Sequence, residues 1–209
     1  IPGNKVSGEY VLPTSTGAQY IPPGTLIRYS FELRDNAGGV LRTQQKEYLY
    51  EDNRFDWRQV SQDNITVYYY GGAIADFLKI RAEVVLEASL KAVKKMEPVL
   101  GIVAEEPIRL VLYSNYRDMT AALPFRSQAV RQDLVTQGQA WPNERVVLVL
   151  GTDSTVAGIA SHELTHILVA DAAGKGYRLV PAWLNEGLAE YGNIDQSDGY
   201  TQALITGIY

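Results

Sequence analysis

The chain holds two histidines, and they stand four residues apart in His162-Glu163-Leu164-Thr165-His166. On an α-helix, at about 100° per residue, positions i and i+4 differ by only ~40° around the axis and lie one turn apart along it. Both imidazoles can therefore reach one cation, with the Glu163 carboxylate beside them. The flanking sequence predicts that helix. Asp153-Ser154-Thr155 offers capping side chains, and Val156, Ala157, Ile159, Ala160, Leu164, Ile167, Leu168 and Val169 are apolar on nearly every side of the axis. Such a helix is buried on most sides, and buried ionisable groups are paired or bound to metal. Metal ligation accounts for His162, Glu163 and His166, the only ionisable side chains between Asp153 and Asp171.

Catalytic zinc takes three protein ligands and keeps one position for water. Both histidines are already used, and the chain has no cysteine. Downstream, Pro181-Ala182-Trp183-Leu184-Asn185-Glu186-Gly187-Leu188-Ala189-Glu190-Tyr191 reads as a helix opening near Pro181 with carboxylates at i and i+4. Glu186 can ligate. Glu190, one turn further on, can accept the outer N–H of His162, which fixes the tautomer of a ligating imidazole and raises its basicity. Taken alone, the same pair also reads as a solvent-exposed acidic face.

His162-Glu163-Leu164-Thr165-His166 followed by Asn185-Glu186 resembles the gluzincin metallopeptidases. Trp183 to Tyr191 resembles especially their peptidase MA-like and aminopeptidase branches. Glu186 follows His166 by twenty residues, as in the thermolysin-like members. The resemblance covers residues 161 to 191 specifically and 72 to 209 in general pattern. It implies a zincin-like fold, His162, His166 and Glu186 as zinc ligands, and Glu163 as catalytic base. Glu190 falls on an outer position that thermolysin-like enzymes fill with aspartate. Tyr177 falls, without gaps, on their transition-state tyrosine, although a partly buried loop tyrosine is the alternative reading. The implied activity is hydrolysis of a peptide or protein substrate by metal-activated water. No downstream histidine is present to help hold the oxyanion. A glycine-rich acidic exopeptidase motif is also missing before the helix, which favours an endopeptidase. The substrate would lie extended on a strand edge, either Thr136 to Trp141 or Val146 to Leu150; Trp141 itself reads first as a core residue. A competing reading is a non-catalytic surface binding module with a structural or silent zinc site. Glu163 discriminates, because a structural site has no use for a carboxylate between its histidines.

The elements that position these residues follow from pattern. Ile27, Tyr29, Phe31 and Leu33 alternate with Arg28, Ser30, Glu32 and Arg34, which predicts a strand with one buried face. The Asp35-Asn36-Ala37-Gly38-Gly39 cluster predicts a turn, with Leu41 to Tyr50 returning as its partner. Residues 1–71 thus read as an Ig-like β-sandwich domain or fragment, ending in a short strand at Val67 to Tyr70, with a boundary at Gly71-Gly72. Residues 72–209 read as the metallopeptidase domain, truncated at its C-terminus, in an α+β chain. Its elements are a long helix from Ile74 to Met96 stopped near Pro98, strands at Ile108 to Tyr113 and Val146 to Leu150, and a helix at Tyr116 to Leu123. Further helices are expected near 128–135 and 197–207. Phe77, Leu78, Val84, Val85, Ala88, Ala92 and Met96 form the apolar face of the long helix.

The 209 residues carry 19 Lys+Arg against 24 Asp+Glu, a formal charge of −5, and 46% hydrophobic residues. This mildly acidic balance disfavours nucleic acid and anionic lipid as partners. The longest apolar run is far short of the ~20 residues that span a bilayer, so no membrane-spanning segment is expected. Beginning at Ile1 with no leader pattern, the sequence reads as a processed or excised fragment. Ig-like modules joined to proteases suggest an extracellular or cell-surface location, and Asn64-Ile65-Thr66 is a formal glycosylation sequon that also arises by coincidence.

Overall fold

A computed structural model describes residues 7–14, 20–124 and 137–196. The helices expected near 128–135 and 197–207 lie outside the described residues.

The alternation in residues 20–50 does make strands. β1 (Thr25–Tyr29) pairs antiparallel with β4 (Lys46–Tyr50), and β2 (Glu32–Arg34) with β3 (Val40–Arg42). The turn between them is closed by Asp35 Oδ1, which accepts the Ala37 and Gly39 N–H groups, with Gly38 at φ +89°. The product is two successive two-stranded ribbons, and no further strand pairs with them among the described residues. Tyr29, Phe31, Leu33, Leu41 and Tyr48 are 39–63% exposed. Arg28 pairs with Glu47, and Glu32 with both Arg34 and Arg42, so the ribbons are amphipathic. Alternation encodes which side chains share a face, not whether another layer covers that face.

Past the ribbons, β5 (Arg58–Gln62), β6 (Ile65–Tyr69), β7 (Ile108–Tyr113), β8 (Gly138–Trp141) and β9 (Val146–Leu150) form one sheet in the order β5-β6-β7-β9-β8. β6, β7 and β9 run parallel, while β5 and β8 are antiparallel edges. The central β9, and β7 apart from Arg109, are apolar without alternation because both of their faces are covered. The expected division at residues 71/72 crosses this sheet, since β6 pairs along its length with β7. Gly71-Gly72 is a strand-to-helix turn, and its composition shift imitates that of a linker.

One face of the sheet packs on α1 (Ala75–Leu100) and α3 (Val156–Ala173), through Leu78, Val85, Met96, Leu164, Ile167 and Leu168. Helix α1 outruns its expected end. Pro98 lies in the last turn, where it removes one donor, and the left-handed Gly101 ends the helix with its N–H on the Glu97 carbonyl. Phe77, expected on the apolar face, is exposed.

The other face is closed by α2 (Tyr116–Ala122) and an aromatic cluster in which Phe55 stacks on Tyr70 at 3.8 Å, with Trp57 and Tyr113 edge-on. Asp52 anchors this cluster, accepting from Arg54 and from the Tyr113 hydroxyl at 3.0 Å. Burial opposes the charge on Asp52, but these bonds outweigh it and hold the carboxyl below its ordinary range. Burial, and then the Asp52 charge, push the Tyr113 hydroxyl far up. Trp141 packs in this second core, 5.5 Å from Tyr20, which is the core role expected for it. The Asn64 amide donates to the carbonyls of Ala104 and Glu106, so the sequon nitrogen already serves the fold.

Candidate metal centre

Helix α3 follows β9 through a turn that its neighbours hold firmly. Arg81 of α1 donates to the carbonyls of Gly151 and Asp153. Thr155 is the N-cap but makes no side-chain capping bond, and Asp153 braces the turn before it: its Oδ1 accepts the Thr155 N–H at 2.8 Å, while its Oδ2 accepts from Gln137 at 2.6 Å. With Val156, Ala160, Leu164, Ile167 and Leu168 fully buried, the register of α3 is fixed and one side is left for His162, Glu163 and His166. His166 is buried and His162 partly so, their ring centroids 5.1 Å apart.

A 3₁₀ segment, Gly174–Leu179, then leads through Val180 and Pro181 into α4 (Ala182–Gly192). Helix α4 is fastened at its far end. A Cβ on Gly192 would lie 2.1 Å from Thr165 Oγ1, so the two backbones approach as only glycine permits. Ser161 Oγ accepts the Ile194 N–H at 3.1 Å. This docking sets Glu186 Oε2 3.4 Å from His162 Nε2 and 3.7 Å from His166 Nε2. Glu190 Oε2 lies 3.4 Å from the other His162 nitrogen, Nδ1, and accepts from Asn193 Nδ2 at 3.2 Å. Asn193 carried no signal in the sequence, because it lies beyond the helix and acts only after the chain turns back toward α3.

Donor atoms of His162, His166 and Glu186 all lie within 4.8 Å of one another. Ligand atoms ~2.0–2.2 Å from a tetrahedral ion stand roughly 3.3–3.6 Å apart, so the 3.4 and 3.7 Å separations suit such an ion. Two imidazole nitrogens and a carboxylate oxygen are also the donor chemistry that zinc accepts. Two further sequence-named residues line the same place. Glu163 and Tyr177 face a cleft of about 290 Å³ together with His162, His166, Asn185 and Glu186. Tyr177 Oη accepts from Asn185 Nδ2 at 3.3 Å. His166 Nδ1 and Asn185 Oδ1 are both buried without a hydrogen-bond partner. Asn185 thus touches the site through more than its place in the motif, a role its sequence position did not reveal.

Against this geometry, the Peptidase MA superfamily profile matches residues 88–205, more than half of the chain. The chain belongs to this superfamily. The match spans the second half of α1, both central strands β7 and β9, helix α3 and helix α4, so the site sits wholly inside the matched part. Membership points to a peptide or protein as the substrate. No curated protein matches the chain. Among the described residues of the peptidase, no helix is long and apolar enough to cross a membrane.

Proposed function

We propose that the chain is a zinc-dependent endopeptidase of gluzincin type, with zinc held by His162, His166 and Glu186. The supporting observation is the convergence of these three donors in a cleft that also holds Glu163. Zinc, when bound, supplies Lewis acidity that brings the pKa of water toward ~7 and polarises a carbonyl. Glu163 takes the proton of the attacking water and returns it to the leaving nitrogen. Glu190 accepts the His162 Nδ1–H and holds that ring with Nε2 turned toward Glu186. Tyr177 donates to the oxygen that becomes negative in the transition state, and Asn185 holds its hydroxyl in place.

The substrate lies along β8. Strand β9 is interior, whereas β8 is the sheet edge beside α3. The Leu150 N–H donates to the Gln137 carbonyl at 2.8 Å. Because hydrogen-bonded and non-bonded pairs alternate in an antiparallel ladder, Gln139 also turns its main chain toward β9, while Gly138 and Ala140 turn theirs to the free side. An extended peptide can pair there. A second cavity of about 460 Å³, lined by Gln137, Thr155, Ile159, Glu190 and Asn193, continues the cleft beyond Glu163. Room on both sides of the base favours cleavage within a chain over removal of an end.

The test is Glu163→Gln. Zinc content is expected to stay at one per chain while hydrolysis of unfolded protein falls by ~10²–10⁴-fold; equal rates would remove Glu163 as base. A chain that binds zinc but hydrolyses no peptide even as the parent would instead be the surface binding module with a silent site. We further place the division between the two parts of the molecule near Tyr50, before β5, and read the amphipathic ribbons as one layer of an Ig-like unit. An extracellular or cell-surface location accords with that pairing, and fractionation of the source cells tests it.

A further inference from the structure

The glycine in β8 lies where a side chain would collide with the catalytic carboxylate. Gly138 is buried in an ordinary extended strand with no positive φ, so its backbone conformation does not require glycine. Space does. A Cβ on Gly138 would stand 2.6 Å from Ile159 Cγ2, 2.8 Å from Glu163 Cγ and 3.3 Å from Glu163 Oε1. Ile159 and Glu163 are one turn apart on α3, so strand and helix meet at this point with no side chain between them. The next residue on the same face of β8 is the small Ala140, which packs on the same core as α3. Gly138 is also shared by the two cavities that flank Glu163.

We propose that Gly138 positions Glu163: the bare strand backbone is the wall against which the carboxylate rests, and its closeness sets where the proton is taken. This rests on the reading of Glu163 as general base. A methyl group at 138 pushes Glu163 aside while leaving His162, His166 and Glu186, none of which supplies its three nearest atoms, in place. Misplacement of a reacting group by ~1 Å can cost ~10²-fold in rate.

The experiment compares the parent with Gly138→Ala, Ile159→Ala and the double variant, all as the full chain. For each, kcat and KM on an unfolded protein substrate, zinc affinity by chelator competition, the thermal midpoint, and the ¹³C resonance of the Glu163 carboxyl are measured. Expected for Gly138→Ala is a kcat lowered ~10²-fold, with KM and zinc affinity within about twofold of the parent and a shifted Glu163 resonance. In the double variant the Ile159 contact is gone but the Glu163 contact remains, so kcat is expected to stay low. Parental kcat in Gly138→Ala, parallel loss of kcat and zinc affinity, or recovery in the double variant would each overturn the proposal. If the parent itself is inactive, the reading of Glu163 as base fails separately; an unmoved carboxyl resonance in Gly138→Ala then overturns the placement of Glu163 by Gly138 on its own terms.

Discussion

The two helices that supply the candidate metal centre are built in opposite ways. Helix α3 is covered around most of its circumference, by the sheet on one side and α1 on another, and ten of its residues are buried. Helix α4 buries only Ala189 and Gly192, and it leaves Trp183, Leu184 and Tyr191 exposed. The histidines therefore come from an element that cannot shift without opening the core. The carboxylate comes from one held at its C-terminal end by Gly192 against Thr165, by Ile194 on Ser161 and by Lys95, which bonds the Tyr191 carbonyl and lies 4.4 Å over the Tyr191 ring. Rigidity on one side of the site and a single fastening on the other mean that the position of Glu186 is the weaker coordinate.

The contrast can be broken most directly by truncating one leucine on each helix. Leu164→Ala in α3 is expected to lose ~2–5 kcal/mol in denaturant unfolding, the range for a fully buried leucine. Leu184→Ala in α4 is expected to lose less than ~0.5 kcal/mol. Equal losses would erase the distinction. Next in size is the fastening itself: Gly192→Ala forces Thr165 or the whole of α4 to move, at ~1–3 kcal/mol. Zinc affinity in a chelator competition should fall with it, because Glu186 moves and the histidines do not. Glu190→Gln sharpens the comparison further, since it weakens the hold on His162 without disturbing either helix. A ~10–100-fold loss of zinc affinity with an unchanged thermal midpoint of the metal-free chain is expected.

The smallest effect lies away from both helices, at Asp52. Its carboxyl titrates lower in the folded chain than in the unfolded one, so the unfolded chain binds more protons as pH falls below about 4. Its contribution to stability is complete above the unfolded value and is lost as pH drops through the folded one. Asp52→Asn should therefore lower stability at pH 7 and flatten the acid limb of the stability curve. The metal centre, which Asp52 does not touch, should keep its affinity for zinc.

How legible each part was follows from the range of the forces involved. Helix α3 could be read because its apolar residues, its histidine spacing and the Asp153 turn upstream all lie within a few turns of one another. The parallel strands β7 and β9 could be read because covering on both faces leaves apolar runs broken only by Arg109. The ribbons were only half legible, since Phe31 and Leu33 alternate as buried residues do and yet face solvent among the described residues. At Gly71-Gly72 a strand-to-helix turn carries the same composition as a linker between domains. Gly138 was invisible because it acts on Glu163, twenty-five positions away on another element, and Asn193 because its bond to Glu190, though local, follows no helical spacing rule.

By itself, the sequence determined the chemistry available: two imidazoles on one helical face, a carboxylate between them, and two more a helix later, with no cysteine to compete. Spacing along a helix is a local property, and 3.6 residues per turn converts it directly into shared direction. Only the tertiary structure decided that Glu186 meets both histidines, that Glu190 meets the far side of His162, and that Gly138 meets Glu163. Those approaches depend on how helices and strand pack, and packing is settled by whether a side chain fits in a gap of a few tenths of an ångström.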